Sequence, residues 1–111
     1  MIRPFSIEKQ QGCGGVVRLA VTGELDEDVS DTLSAIIANA AGQPGVTQLN
    51  IDLAQVSFVA AAGVRSLLRG AVEARRLGRG YRLINTSTAV ERVLRISGAA
   101  ALISVAEPVR S

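Results

Sequence analysis

Residues 51–64, which read IDLAQVSFVAAAGV, decide the fold, because a strand pattern changes into a helix pattern within them. Leu49, Ile51 and Leu53 alternate with polar neighbours. This alternation predicts a buried strand over about 47–53, followed by a turn and a short extended stretch. A helix is expected to begin near Ala61 or Ala62. Its predicted apolar stripe is Val64, Leu67, Leu68, Ala71 and Val72, and its polar stripe is Arg65, Arg69, Glu73 and Arg76.

Upstream of this junction, the sequence predicts a hairpin and a helix. Alternating apolar residues over 5–9 and 17–21 indicate two strands, and the glycine-rich segment 12–15 is expected to be the turn between them. Asp26 is expected to cap the following helix, whose apolar residues recur at helical spacing. Gly42 and Pro44 are expected to end that helix.

Downstream, one more strand and one more helix are expected. Residues 81–84 are typical of a strand, and 88–91 (TAVE) have the capping-box pattern of a helix that Gly98 closes. Residues 102–105 are predicted to form a final short strand. The chain is therefore expected to be one α/β domain over 1–111, with a mixed central sheet of about four to five strands and helices packed against it. Residues expected to be buried are Leu49, Ile51, Leu67, Leu68 and Leu94.

Composition is that of an ordinary globular domain. The chain has 111 residues, of which 48% are hydrophobic and 20% are charged. Its start lacks the apolar region of a signal peptide, and no apolar run approaches the roughly 18–20 residues that span a bilayer, so a cytoplasmic protein without membrane insertion is expected. The single cysteine, Cys13, cannot form an internal disulfide, and an exposed thiol without special function is the simplest interpretation.

The chemistry of catalysis is largely missing. The sequence has no histidine and one cysteine, which excludes a Cys–His nucleophile and most zinc sites. No enzyme activity, cofactor or metal is expected. Net charge is +2 and aromatic content is 3%, which does not favour nucleic-acid binding.

Charge is unevenly distributed along the chain. This pattern is typical either of a surface that recognises a protein or of two solvated helix faces. The acidic cluster is Glu24, Asp26, Glu27, Asp28 and Asp31, and the basic cluster is Arg65, Arg69, Arg75, Arg76, Arg79 and Arg82.

Three segments resemble the family of sulfate-transporter and anti-sigma-factor-antagonist domains, known as STAS. They are GELD at 23–26, the junction 51–64, and the predicted helix 87–98, which ends in RISG. In that family an Asp-Ser-Ser-Gly turn opens a helix, and its second serine commonly accepts phosphate from a partner kinase that is also the anti-sigma factor. A helix start suits an added anion because its free N–H groups face it.

The chain departs from this pattern at the turn itself. Residues 60–63 read AAAG, so Ala62 occupies the position of the phospho-acceptor serine and no acceptor is present there. The nearest hydroxyls are those of Ser57 and Ser66. Structural roles are the simpler interpretation of both, and a displaced phosphorylation site is the alternative.

The resemblance implies a non-catalytic anti-sigma factor antagonist that binds a serine-kinase-like anti-sigma factor and so releases a sigma factor. The alternatives are a regulatory subunit of a membrane transporter and a stressosome-like scaffold component. Residues 60–63 are interpreted either as a docking surface or as a tightly packed junction. The partner-binding candidates that the resemblance implies are Asp26, Ala60, Ala61, Ala62 and Gly63, and the polar stripe adds Arg65 and Arg69.

Overall fold

A computed structural model describes residues 4–103, which form a mixed sheet with three α-helices. The sheet order is β1-β2-β3-β4, with β1 antiparallel to β2 and the other neighbours parallel. The predicted α/β architecture, including the opening hairpin, is therefore confirmed. The elements are β1 (Ser6–Gln11), β2 (Val16–Leu25), α1 (Glu27–Ala41), β3 (Gln48–Val59), α2 (Ala61–Arg76), β4 (Gly80–Ile84) and α3 (Thr88–Ile96).

The core lies where the strands meet the helices. Along β2, alternate residues are buried, as the period of a strand with one covered face requires. Helix α1 contributes Leu33 and Ile37 to this core, and α3 contributes Val90 and Leu94. The predicted burial is confirmed for four of the five positions, which are Leu49, Ile51, Leu67 and Leu94.

The fifth position, Leu68, is only half-buried. The predicted apolar stripe of α2 is therefore correct at Val64 and Leu67, which are buried, and wrong toward Val72. Small residues of α2 face inward because α1 approaches closely: a Cβ atom on Gly70 would lie 2.6 Å from Cγ2 of Ile37. Val72, on the far side of the helix, is 68% exposed. The buried side of α2 is Ala62, Gly63, Val64, Ser66, Leu67, Gly70 and Ala74.

Strand β3 is longer than the predicted segment 47–53, because it continues through two irregularities in its pairing with β2. At each one, β3 contains one residue more than β2, which defines a β-bulge. Asp52 supports the first bulge: its carboxylate accepts the N–H of Ala54 at 2.9 Å and a hydrogen bond from Arg18. Burial alone would raise the pKa of Asp52, but hydrogen bonds from Ala54, Arg18 and Asn85 hold that pKa below its ordinary value.

The predicted boundaries change at the carboxyl end. Helix α3 begins at Thr88, as predicted, but its cap is Ser87, which accepts the N–H of Val90 at 3.2 Å and lies one residue before the predicted capping box. Of the predicted strand 102–105, Leu102 lies in a short 3₁₀ helix and Ile103 makes one parallel bridge to Leu83, while 104 and 105 lie outside the described residues. None of the helices in 4–103 is long and apolar enough to cross a membrane.

Candidate functional site

The two segments that predicted the site meet at one end of the sheet. Strands β2 and β3 are parallel neighbours, so their carboxyl ends lie at the same edge, where Leu25 pairs with Val59. The N–H of Ala60 donates to the carbonyl of Leu25 at 2.9 Å. This bond fixes the start of α2 beside Asp26 and the start of α1.

Glycines make this junction possible. Gly23 has a φ of +107°, a backbone conformation that L side chains rarely adopt, near the end of β2. Gly63 allows α2 to approach β2: a Cβ atom there would lie 2.4 Å from the carbonyl oxygen of Leu25 and 2.8 Å from its Cβ. The backbones of β2 and α2 are therefore in direct contact at the site.

The two helix starts differ in chemistry. Oδ1 of Asp26, the N-cap, accepts the N–H of Asp28 at 3.0 Å, and the first turn of α1 contains two further acidic residues, Glu27 and Asp28. These carboxylates complement the positive end of the helix dipole. At α2, Ala60 is in the N-cap position and offers no side-chain cap, and the first turn has no acidic residue.

The predicted site residues differ in exposure. Ala61 is exposed and Asp26 and Ala60 are half-buried, so these three can form a surface. Ala62 is only 5% exposed and Gly63 is buried. The last two residues therefore shape the turn and present no side chain on the surface.

Arg65 and Arg69 are exposed along α2, leading away from the helix start. Nη2 of Arg65 lies 4.0 Å from Oε2 of Glu27, which links the second turn of α2 loosely to α1. Two other members of the basic cluster have structural contacts. Arg76 pairs with Glu73, and Arg79 donates to the carbonyl of Ala41 at 3.0 Å.

The hydroxyls of Ser57 and Ser66, the nearest to the turn, differ in their exposure to solvent. Ser66 is fully buried and donates to the carbonyl of Ser30 at 2.7 Å, with the Ala62 carbonyl at 3.2 Å. Its hydroxyl joins α2 to α1, as the structural interpretation predicted, and it is not accessible to a kinase in this conformation. Ser57 is exposed on β3.

Two surface features were missed by the sequence reasoning. Phe58 is 50% exposed and pairs in register with Glu24 at the site end of the sheet. It follows the second bulge, which no alternation pattern reveals. Leu68 and Val72 were predicted to face the core, but they line a shallow groove on the outer side of α2. The other residues that line it are Arg65, Arg69 and Glu73.

Sheet order, helix placement and the paired motifs define a small α/β domain of the STAS class. A family model described as "Mlab, STAS domain" matches residues 9–104, which is most of the chain. The chain therefore belongs to the STAS family. No curated protein matches it in sequence.

Solved structures share the fold. The unphosphorylated anti-sigma factor antagonist SpoIIAA is 24% identical with a TM-score of 0.77, over 89% of this chain and 86% of that one. An anti-sigma factor antagonist from Mycobacterium paratuberculosis is 22% identical with a TM-score of 0.75, over 90% of this chain and 83% of that one. The murine anion transporter solute carrier 26 family member A9 is 22% identical with a TM-score of 0.69, over 78% of this chain and 14% of the transporter. At these identities the likeness concerns the fold.

Proposed function

We propose that this chain is a non-catalytic anti-sigma factor antagonist, which binds an anti-sigma factor at the carboxyl ends of β2 and β3 and so releases a sigma factor. The observation that carries the proposal is the junction of the two motifs, where the exposed Ala61 follows a turn that is bonded to Leu25 just before the acidic start of α1. Phe58, which pairs in register with Glu24 at the same end of the sheet, is 50% exposed. An exposed aromatic residue near charged side chains is typical of a protein-binding surface.

Binding at this surface is constitutive in the proposal. Segment 58–65 contains no Ser, Thr or Tyr, so no phosphate can be attached at the turn. Ser66 is buried in a hydrogen bond to Ser30. A phosphate would add about −1.5 to −2 charges at the docking surface, and without it the antagonist stays competent to bind. Control then lies in the amount of protein or in another input.

The test uses a kinase-like anti-sigma factor from the source cell, purified with its sigma factor and titrated with this chain. Sigma release is measured by fluorescence anisotropy. Ala61→Arg, at the centre of the exposed turn, should weaken release by about tenfold or more, since a bulky charge in an interface core costs upwards of about 1.4 kcal/mol. Ala35→Arg, at an exposed alanine further along α1, is the matched control and should change release little.

Two results would contradict the proposal. If wild type releases no sigma factor from any candidate, the antagonist function is wrong. If Ala61→Arg and Ala35→Arg behave alike, the binding surface lies elsewhere. A parallel incubation with ATP should leave 58–65 unmodified by mass spectrometry, and phosphate at Ser57 with loss of binding would show a displaced switch.

A second candidate is a regulatory subunit of a membrane transporter. It is favoured by the match to the murine anion transporter, in which a domain of this fold accounts for 14% of a much longer transport protein. A docking module without a phospho-acceptor also suits a permanent subunit. Co-purification of a transport protein from the source cell, lost in Ala61→Arg and kept in Ala35→Arg, would place this candidate first.

A further inference from the structure

The outer side of α2 has the composition of a docking surface. Leu68 and Val72 are one helical turn apart and line a shallow groove with Arg65, Arg69 and Glu73. Val72 is 68% exposed, although the other side of the same helix is buried. We call these five residues the α2 groove. Its apolar centre, with charged side chains around it, matches the usual anatomy of an interface.

The charges of the α2 groove are predominantly positive and available. Among residues 4–103, Arg69 has no ion-pair partner, and the contact of Arg65 with Glu27 is long, at 4.0 Å between exposed side chains. Exposed pairs of this kind contribute little. Glu73, the acidic member, is already held by Arg76 through two hydrogen bonds of 3.0 and 2.6 Å.

We propose that the α2 groove binds an amphipathic helix of a partner protein, with two apolar residues at i and i+4 and Asp or Glu beside them. The apolar pair would pack between Leu68 and Val72, as helices do in grooves. The carboxylates would face Arg65 and Arg69, whose planar guanidinium groups suit bidentate pairing. The inference rests on the proposed function, because the helix would belong to that partner, and adds the chemistry of its recognition.

A membrane is the less favoured occupant. An interfacial helix anchors itself through a broad apolar face, usually with aromatic residues. The α2 groove presents two aliphatic side chains and no aromatic one. Such a small apolar area suits pairing with one helix, where a few well-placed contacts and complementary charge define the orientation.

The test titrates the isotope-labelled full chain with two designed helical peptides of about 18 residues, long enough to form a marginal helix. Both have leucine at i and i+4, flanked by Glu in one peptide and by Lys in the other. The Glu peptide should shift the amide resonances of residues 64–73 and bind about tenfold or more tightly than the Lys peptide. Arg65→Glu with Arg69→Glu should reverse this preference. Arg82→Glu with Arg92→Glu makes the same charge change at exposed sites elsewhere and should keep it.

Three results would overturn the inference. The first is that neither peptide shifts any resonance, and the second is that the shifts are centred outside α2. The third is that both double variants change the preference for the Glu peptide over the Lys peptide by the same amount. A separate titration uses vesicles of phosphatidylglycerol. If the α2 resonances disappear with vesicles and neither peptide shifts them, the α2 groove binds a membrane. No anti-sigma factor enters this titration, so its result is independent of the sigma-release assay. If the sigma-release assay fails and the peptide titration succeeds, the anti-sigma factor is rejected as the partner, and the α2 groove still stands as a helix-binding surface.

Discussion

The starts of α1 and α2 lie side by side at one end of the sheet but are held by different means. Helix α1 has a side-chain cap, since Asp26 accepts the N–H of Asp28, and two acidic residues in its first turn. Helix α2 has no side-chain cap. Its start is instead fixed by packing, with Gly63 against Leu25 and Ser66 bonded to α1.

This difference suggests how an uncapped helix start is maintained at a surface. The start of α2 has no charged residue around its one exposed alanine, Ala61, whereas the capped start of α1 beside it contains the acidic residues. Packing on the buried side supplies the stability that a cap would add, because buried apolar side chains contribute more than one capping bond. Four predictions test this division, in order of expected effect.

The largest effect is expected on the buried side of α2. Leu67→Ala should lower the free energy of unfolding by about 2–5 kcal/mol, because Leu67 is fully buried and its removal leaves a cavity. Leu68→Ala, the matched control at the next residue, should cost less, about 1 kcal/mol, since Leu68 is only partly buried at the edge of the core. Urea denaturation measures both. Equal losses would show that the helix is rotated from the orientation described.

That pair also shows where sequence reasoning succeeded and failed. The cap at Asp26 and the turn at 12–15 follow from local chemistry, and both were predicted correctly. The rotation of α2 was missed because Gly63, Ser66 and Gly70 mark its buried side. Small residues carry little hydrophobic signal, although they are what close packing requires.

Long-range effects explain the other differences. The length of β3 depends on bulges against β2, and Asp52 supports the first of these with Arg18, which is 34 residues away. The exposure of Phe58 follows from the second bulge. The family resemblance picked out 23–26 and 60–63 as candidate site segments. The burial of Ala62, in contrast, depends on how closely α2 approaches β2, which the sequence alone does not reveal.

The second prediction concerns Gly63. Gly63→Ala should destabilise the fold by about 1–3 kcal/mol, because the added Cβ would lie 2.4 Å from a backbone oxygen that cannot rotate away. Ala61→Ser adds one atom at an exposed position in the same turn and should change stability by less than about 0.5 kcal/mol. A gain of about 1 kcal/mol for Gly63→Ala, as in an exposed helix, would show that the contact with Leu25 is not tight.

The smallest effects are expected from exchanging the caps. Asp26→Ala should cost about 1 kcal/mol, because α1 loses its capping bond and a favourable charge at its positive end. Asp26→Asn keeps the capping oxygen and should lose less. If thermal denaturation shows no loss for Asp26→Ala, packing alone holds both helix starts and the contrast between them disappears.

The reverse change, Ala60→Asp, should stabilise the fold by about 0.5 kcal/mol, at the low end of the range for a new cap. The backbone of Ala60 is already extended, with φ −87° and ψ 173°, so a carboxylate there can reach the first N–H groups of α2. The gain is small because Asp26 and Glu27 lie close by, and a third carboxylate is repelled by them. Ala60→Asn supplies a neutral cap without this repulsion and should stabilise at least as much. Added salt should raise the stability of Ala60→Asp relative to Ala60→Asn, because it screens exposed charges. If both variants instead destabilise, the alanine start of α2 is fixed by its contact with β2, and the uncapped turn is a requirement of packing.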